Sequence, residues 1–217
     1  MSYSELWSSM HVELFQAAWA TLRLALGAIA IGIVLGLLLA VVRISGHRVA
    51  ARIARIYIEL FRGTPALVQL FLVYFGLVSI GVRFDSYQAA VLGLGMNAAA
   101  YFAEIFRAGI EAVPRGQSEA AWSIGMTGSA AMRWVVLPQA IRLVLAPSGN
   151  IAISLLKDTS VASLIAAPDL MLRAQDLSSQ YFMPFEIYVT VGAFYFVLCY
   201  PLSQLMRHIE RRHPSHG

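Results

Sequence analysis

Charged, amide and hydroxyl side chains set inside apolar runs are the residues of this chain whose types and spacing can do chemistry. Glu59 and Arg62 stand three apart on one helical face, and Gly63 and Pro65, flanking Thr64, weaken the helix beside them. Asn97, Tyr101, Glu104 and Ala108 recur at spacings of four, three and four, which is again one helical face. Pro147-Ser148-Gly149-Asn150 predicts a break about half-way along a later apolar run, and Lys157-Asp158-Thr159-Ser160 follows with both signs of charge and two hydroxyls. A charge at the centre of a bilayer costs at least ~2.5 kcal/mol, so such groups pair, line a cavity or meet a polar cargo. The chemistry they offer is recognition and passage: Asp158 has the charge to receive an ammonium and Lys157 a carboxylate, as a zwitterion requires. Structural alternatives stand beside each reading. Glu59 and Arg62 form either a boundary ion pair or a gate, the Asn97 stripe is either packing glue or pathway, and Lys157-Asp158 either marks the membrane boundary or contacts cargo.

Other chemistries are excluded by what the sequence lacks. No G-x4-G-K-[ST] pattern occurs, and the single lysine, Lys157, follows Leu156, so the chain has no phosphate-cradling loop of that kind. His11, His47, His208, His213 and His216 all lie outside the apolar runs and no H-E-x-x-H is present, which argues against a metal site. His213 and His216 read as part of a solvated tail. Cys199 is the only cysteine, so no disulfide forms within the chain.

The elements that must position the polar residues are membrane helices. Only 13% of the 217 residues are charged, against ~25% in soluble domains, and mean hydropathy is +0.67. A hydrocarbon core of ~30 Å needs about 20 apolar residues in a helix. Five runs qualify, at about 15–42, 54–80, 87–110, 138–156 and 185–206, giving an all-α membrane protein read as one domain, 1–217. The opening MSYSELWSSMHVELFQ has no lysine or arginine and no cleavage site, so the first span is expected to remain in the mature protein. Arg43, Arg48, Arg52, Arg55, Arg107, Arg115, Arg133, Arg142, Arg207, Arg211 and Arg212 flank one side, against Arg83, Lys157 and Arg173 on the other. That asymmetry predicts an outside N-terminus and a cytoplasmic C-terminus, and it accounts for the net charge of +4 without nucleic acid. Pro168-Asp169 predicts the start of a short amphipathic helix on the outer side, with Leu170, Leu172, Ala174 and Leu177 on its apolar face.

The cytoplasmic stretch between the third and fourth runs, about 114–137, reads as two short helices. One ends at Gly125 as a left-handed C-cap, the other is capped by Thr127, and Pro138 opens the next span. Glu119-Ala120-Ala121, Gly125, Val135 and Leu137-Pro138 reproduce E-A-A-x3-G-x9-I-x-L-P, with Val for the usual Ile. The chain thereby resembles the membrane permeases of type I ABC importers, in which this segment forms coupling helices that dock into a cleft of the ATPase subunit. Glu59-Leu60-Phe61-Arg62-Gly63-Thr64-Pro65 with Val68-Gln69, Ala103 to Ile110 with Val113-Pro114, and Leu156 to Ser160 are similar to the polar amino-acid branch of that family. Asn97-Ala98-Ala99-Ala100-Tyr101 departs from that branch's N-x-A-Y spacing and leaves the facing of Asn97 open.

The resemblance implies a subunit of a bacterial inner-membrane importer for polar amino acids. Its partners would be a second permease, identical or paralogous, two ATPase subunits holding ATP and Mg, and an external solute-binding protein, with no cofactor on this chain. Two alternatives differ in cargo or class. One is the same permease type carrying an opine, ectoine or other small zwitterion; the other is a secondary transporter or channel, disfavoured by the absence of an inverted repeat. A membrane scaffold would not need polar residues in mid-span.

Overall fold

The computed structural model describes residues 3–212, all of its regular elements helical. In order these are α1 (Tyr3–Ile44), α2 (Arg48–Gly63), α3 (Ala66–Phe71), α4 (Ser86–Glu111), α5 (Arg115–Ser123), α6 (Gly128–Ala131), α7 (Leu137–Asp158), α8 (Leu170–Tyr181) and α9 (Pro184–Arg212). Among them Met10–Ile44, Ser86–Glu111, Gly128–Ile165 and Pro184–Ile209 are long and apolar enough to cross a membrane. A fifth crossing requires the pair Arg48–Gly63 and Ala66–Ile80, whose halves meet at 110°. The run predicted as the second span, at about 54–80, is thus sharply bent where Gly63 and Pro65 were expected to weaken it. The reason is local: Gly63 is a poor helix former, and Pro65 removes an N–H and holds Thr64 extended, at φ −119° and ψ 148°.

The most extensive packing in the molecule is between α1 and α4. Both helices carry small residues along the seam, the means by which membrane helices approach closely when lipid removes the hydrophobic drive to associate. A Cβ at Gly36 would lie 2.7 Å from the Cβ of Phe102 and 3.0 Å from the carbonyl oxygen of Ala99; one at Gly95 would lie 2.9 Å from Ile31. Phe102, Leu94, Ala98 and Leu24 are buried in the resulting core. The opposite face of α1 exposes Trp19, Leu26, Val34 and Leu38, as a lipid-facing helix must. Asp85 starts α4 with a capping box: it accepts from Gln88 N at 2.8 Å while Gln88 Oε1 accepts from Asp85 N at 3.3 Å.

The expected break at residues 147–150 is absent. α7 runs without interruption from Leu137 to Asp158, with Pro147 inside it. Gly149 is small because α9 presses on it there: a Cβ would collide with the side chain of Met206. The expected second coupling helix is likewise not separate from the span that follows. A π-turn over Met132–Val136 joins α6 to α7, its last bond running from Leu137 N to Met132 O. The wider turn accommodates Pro138, which has no N–H to offer the preceding turn.

On the predicted outer side, α8 forms as expected, burying Leu170, Ala174 and Leu177 against Met10, Leu14 and Ile187. Asp169 is its N-cap, accepting from Leu172 N at 2.7 Å. The helix is tied to α1 by Leu170 N donating to Thr21 Oγ1 at 2.9 Å and by an Arg173–Glu13 ion pair. The tail histidines His213 and His216 lie outside the described residues.

Candidate functional site

The bend between α2 and α3 leaves a hollow against the middle of α4 and the last turns of α7. This groove has a volume of about 400 Å³. Its polar lining comes from Thr64 at the bend, Asn97 and Tyr101 of α4, and Ser154 and Asp158 of α7; Pro65, Ala98, Ile151, Leu155 and Val161 supply apolar walls. Four residues singled out from the sequence therefore meet in one place, although they lie on three separate elements. Ser154 joins them without having been singled out, because an isolated serine in an apolar helix carries no signal of its own. Asp158 is the charged member of the lining, so the groove is electronegative where it is charged at all.

The bend also answers how Asn97 faces. Its Nδ2 donates to Phe61 O at 3.2 Å and to Gln69 Oε1 at 2.9 Å, so the amide turns toward the bend. Arg62 does not pair with Glu59 among the described residues. It sits over the Tyr101 ring with 5.6 Å from the guanidinium carbon to the ring centroid, a cation–π arrangement at the groove's edge, while Glu59 is exposed on α2. The i,i+3 spacing was compatible with an ion pair, but α4 offers the guanidinium an aromatic face instead.

Other residues of the predicted pathway do not line this groove. Glu104 accepts from Arg43 at the end of α1 at 2.6 Å and also pairs with Arg107, which in turn reaches Glu111. It cross-links α1 to α4. Lys157 and Asn150 line a separate cleft of about 300 Å³ between α7 and α9, with Ser203 and Arg207. Successive helical residues diverge by about 100°, so Lys157 and Asp158 cannot both aim into one groove from the end of α7. Thr159 is buried and donates to Leu156 O at 2.9 Å; Ser160 donates to Lys157 O at 2.8 Å. Both satisfy the carbonyls of the helix end.

A buried polar cluster at the start of α8 was missed by sequence reasoning. Tyr195 Oη donates to Asp169 Oδ2 at 3.3 Å, and the side chains of Thr21 and Thr159 lie near its hydroxyl. The cluster joins α1, the end of α7, the N-cap of α8 and α9. Burial pushes the Asp169 carboxyl up to about 6, against the opposing pull of the hydrogen bonds it accepts. Its cap role was legible; its connection to Tyr195 depends on tertiary packing.

On the far side of the bundle, α5 ends in a Schellman arrangement, with Gly125 N bonded to Trp122 O at 2.9 Å and Met126 N to Ala121 O at 3.1 Å. Gly125 has φ +84°, as its left-handed cap position requires. Ala121 faces inward, while Glu119, Ala120, Trp122 and Ile124 are exposed, the last by 80%. The helix thus presents an apolar patch with one acid at its rim, packed from behind by the turn at Met132–Val136. Leu137 and Pro138 sit at the start of α7, with Pro138 in its first turn.

Comparison with known proteins accords with this arrangement. The sequence model of the family described as binding-protein-dependent transport system inner membrane component matches residues 32–213. The probable glutamine ABC transporter permease protein GlnM of Bacillus subtilis (strain 168) is 39% identical over 204 residues, covering 94% of this chain and 93% of that protein. The glutamine transport system permease protein GlnP of Escherichia coli (strain K12) is 34% identical over 212 residues, covering 97% and 96%. A crystal structure of an amino acid ABC transporter with histidines superposes with a TM-score of 0.91 at 39% identity, covering 98% of this chain and 99% of that one. The inward-facing MetNI methionine ABC transporter shares the fold, with a TM-score of 0.77 at 23% identity. The chain belongs to the family of inner membrane components of binding-protein-dependent transport systems, and is an ABC transporter permease.

Proposed function

We propose that this permease forms half of the transmembrane pathway of an importer for polar amino acids, and that its cargo passes through the groove at Thr64, Asn97, Tyr101 and Asp158. The observation that carries the reading is the convergence of these polar side chains from three elements on one hollow between membrane helices. A hollow lined this way is costly in hydrocarbon and is expected where a polar solute crosses. The relatives' glutamine, arginine and cystine permeases support the substrate class. Asp158 suits the α-ammonium that all amino acids share. With Lys157 turned away, Arg62 at the groove's edge is the nearer candidate to meet the carboxylate.

Energy reaches the pathway from outside the chain. In this reading α5 seats its exposed patch in an ATPase subunit that holds ATP and Mg, a second permease completes the pathway, and a solute-binding protein docks on the face bearing α8. The arginine asymmetry orients that face outward in a bacterial inner membrane, with the C-terminus in the cytoplasm. The complex, assembled with its ATPase and binding protein in proteoliposomes, is expected to accumulate labelled L-glutamine, L-arginine, L-histidine or L-cystine only when ATP is supplied on the ATPase side. Uptake driven by an ion gradient with no ATP would instead indicate a secondary transporter.

A further inference from the structure

The bend that creates the groove also creates a hydrogen-bonding problem. In a continuous helix Phe61 O would accept from the N–H of residue 65, but Pro65 has none. The chain turns by 110° at this point, so the carbonyls of Phe61 and Thr64 are left without helical partners, inside a membrane that supplies no water. Side chains replace them. Thr64 Oγ1 donates to Leu60 O at 2.8 Å. Gln69, 94% buried on α3, shares the protons of its Nε2 among Phe61 O at 2.9 Å, Thr64 O at 3.0 Å and Thr64 Oγ1 at 2.7 Å.

These bonds have a direction that chemistry fixes. Backbone carbonyls only accept, and the Thr64 hydroxyl has already spent its proton on Leu60 O, so Gln69 must turn its amide nitrogen toward the bend. Its Oε1 is then the atom that faces α4, and it can only accept. Asn97 answers with Nδ2, which also supplies Phe61 O with a second donor. Both Nδ2 protons are committed to the bend. Asn97 Oδ1 is the atom left for a ligand, and among the described residues no protein donor is found bonded to it.

We propose that Gln69 is a positioning residue for substrate recognition, which sets the Asn97 amide so that its oxygen, not its nitrogen, is offered to the groove. This rests on the reading of the groove as the substrate pathway. Asn97 Oδ1 on α4 and the Asp158 carboxylate at the end of α7 then form an acceptor pair in the lining of one groove, suited to an ammonium group of the cargo. A reversed Asn97 would present N–H to that ammonium and repel it. The polarity of the site therefore originates in Pro65, through Gln69, although neither offers the cargo a hydrogen bond of its own. The signal was present in the sequence as one glutamine inside the apolar stretch Leu67-Val68-Gln69-Leu70-Phe71, but its meaning requires the bend.

The test is a double-substitution cycle on the intact complex in proteoliposomes, using whichever of L-glutamine, L-arginine, L-histidine and L-cystine it transports fastest. Gln69→Met keeps the length of the side chain and removes both polar atoms. It should raise KM by about five-fold, the equivalent of one ordinary hydrogen bond, with kcat within about two-fold of the parent. Asn97→Ala should raise KM at least as much, and the double variant should be no worse than Asn97→Ala alone, since Gln69 acts through Asn97. Where Gln69→Met fails to assemble, Gln69→Asn, one methylene too short to span the bend, is read in the same cycle. An unchanged KM for the Gln69 variant at normal complex yield, or KM effects that multiply in the double variant, would overturn the proposal while leaving the groove reading intact. An unchanged KM for Asn97→Ala would overturn both.

Discussion

Asp169 makes the end of the bundle that bears α8 sensitive to pH in a direction the structure determines. The residue is 2% exposed, caps α8 through Leu172 N at 2.7 Å, and accepts from the Tyr195 hydroxyl at 3.3 Å. Burial raises its carboxyl from 3.8 to about 6, and the hydrogen bonds to Leu172, Met171 and Tyr195 offset only part of that rise. A carboxyl whose folded value lies above its unfolded value binds more protons in the native state. Stability is therefore gained as pH falls from about 6 toward 3.8 and lost as pH rises through about 6, the reverse of an ion-paired aspartate. A displacement of roughly two units is equivalent to about 3 kcal/mol, an upper figure because the ionised group can relax toward water. At roughly 2–4 °C per kcal/mol for a chain of this size, the full displacement is equivalent to a shift in Tm of about 6–12 °C, of which the interval from pH 7 to pH 4.5 covers the larger part. Asp169→Asn keeps an oxygen for the α8 cap and removes the titration. The assay is thermal unfolding of the assembled complex at pH 7 and pH 4.5, read as the difference between the parent and Asp169→Asn, which cancels the titration of every other group. The parent should gain relative to the variant as pH falls. A difference that stays flat, or moves the opposite way, would show that the α8 cap and Tyr195 hold the charge well enough to outweigh its burial.

Three further outcomes follow from particular contacts. Gly125→Val forces a β-branched residue into φ +84°, which disfavours the end of α5; ATPase co-purification or the coupling of hydrolysis to uptake should fall, and full uptake with normal co-purification would refute the coupling role. Gly36→Val drives a side chain into the Ala99 carbonyl and Ala103 N, and should cost ~1–3 kcal/mol or more, seen as reduced complex yield and a lower Tm; Gly192→Ala, with open space around it, should change neither. In a Cys199→Ser background, a cysteine at Ser179 should react with an impermeant thiol reagent on intact cells and one at Ser45 should not, whereas the reverse pattern would invert the proposed orientation.

Local signals in the sequence translated into structure where the physics is itself local. Gly125 as a left-handed cap, Thr127 as an N-cap and Asp169 at the start of α8 depend on a few neighbouring residues, and each takes the expected position. Signals whose outcome depends on a distant helix were misread. Pro147 to Asn150 looked like a break, but Gly149 serves the approach of Met206 on α9. Glu59 and Arg62 stood as either an ion pair or a gate, and of these the pair does not form, because Arg62 lies over Tyr101. Glu104 was legible as an interior charge, not as the partner of Arg43, which lies sixty-one positions earlier. The groove itself was half legible: polar residues in apolar runs named Thr64, Asn97, Tyr101 and Asp158, whereas the 110° bend that brings Thr64 to the others could be sensed only as a weak helix at Gly63 and Pro65.

The central claim, that cargo meets the groove, is tested most directly by the concentration dependence of ATP-driven uptake in Asp158→Asn. The substitution keeps the volume of the side chain and removes its charge at the end of α7, where Asp158 is exposed to the groove. A lost carboxylate–ammonium hydrogen bond is worth ~1.5–3 kcal/mol, so apparent affinity should fall by roughly ten- to a hundred-fold while complex yield and basal ATPase activity stay near the parent's. Unaltered uptake kinetics at normal yield would contradict the account and leave Asp158 as a residue of the membrane boundary.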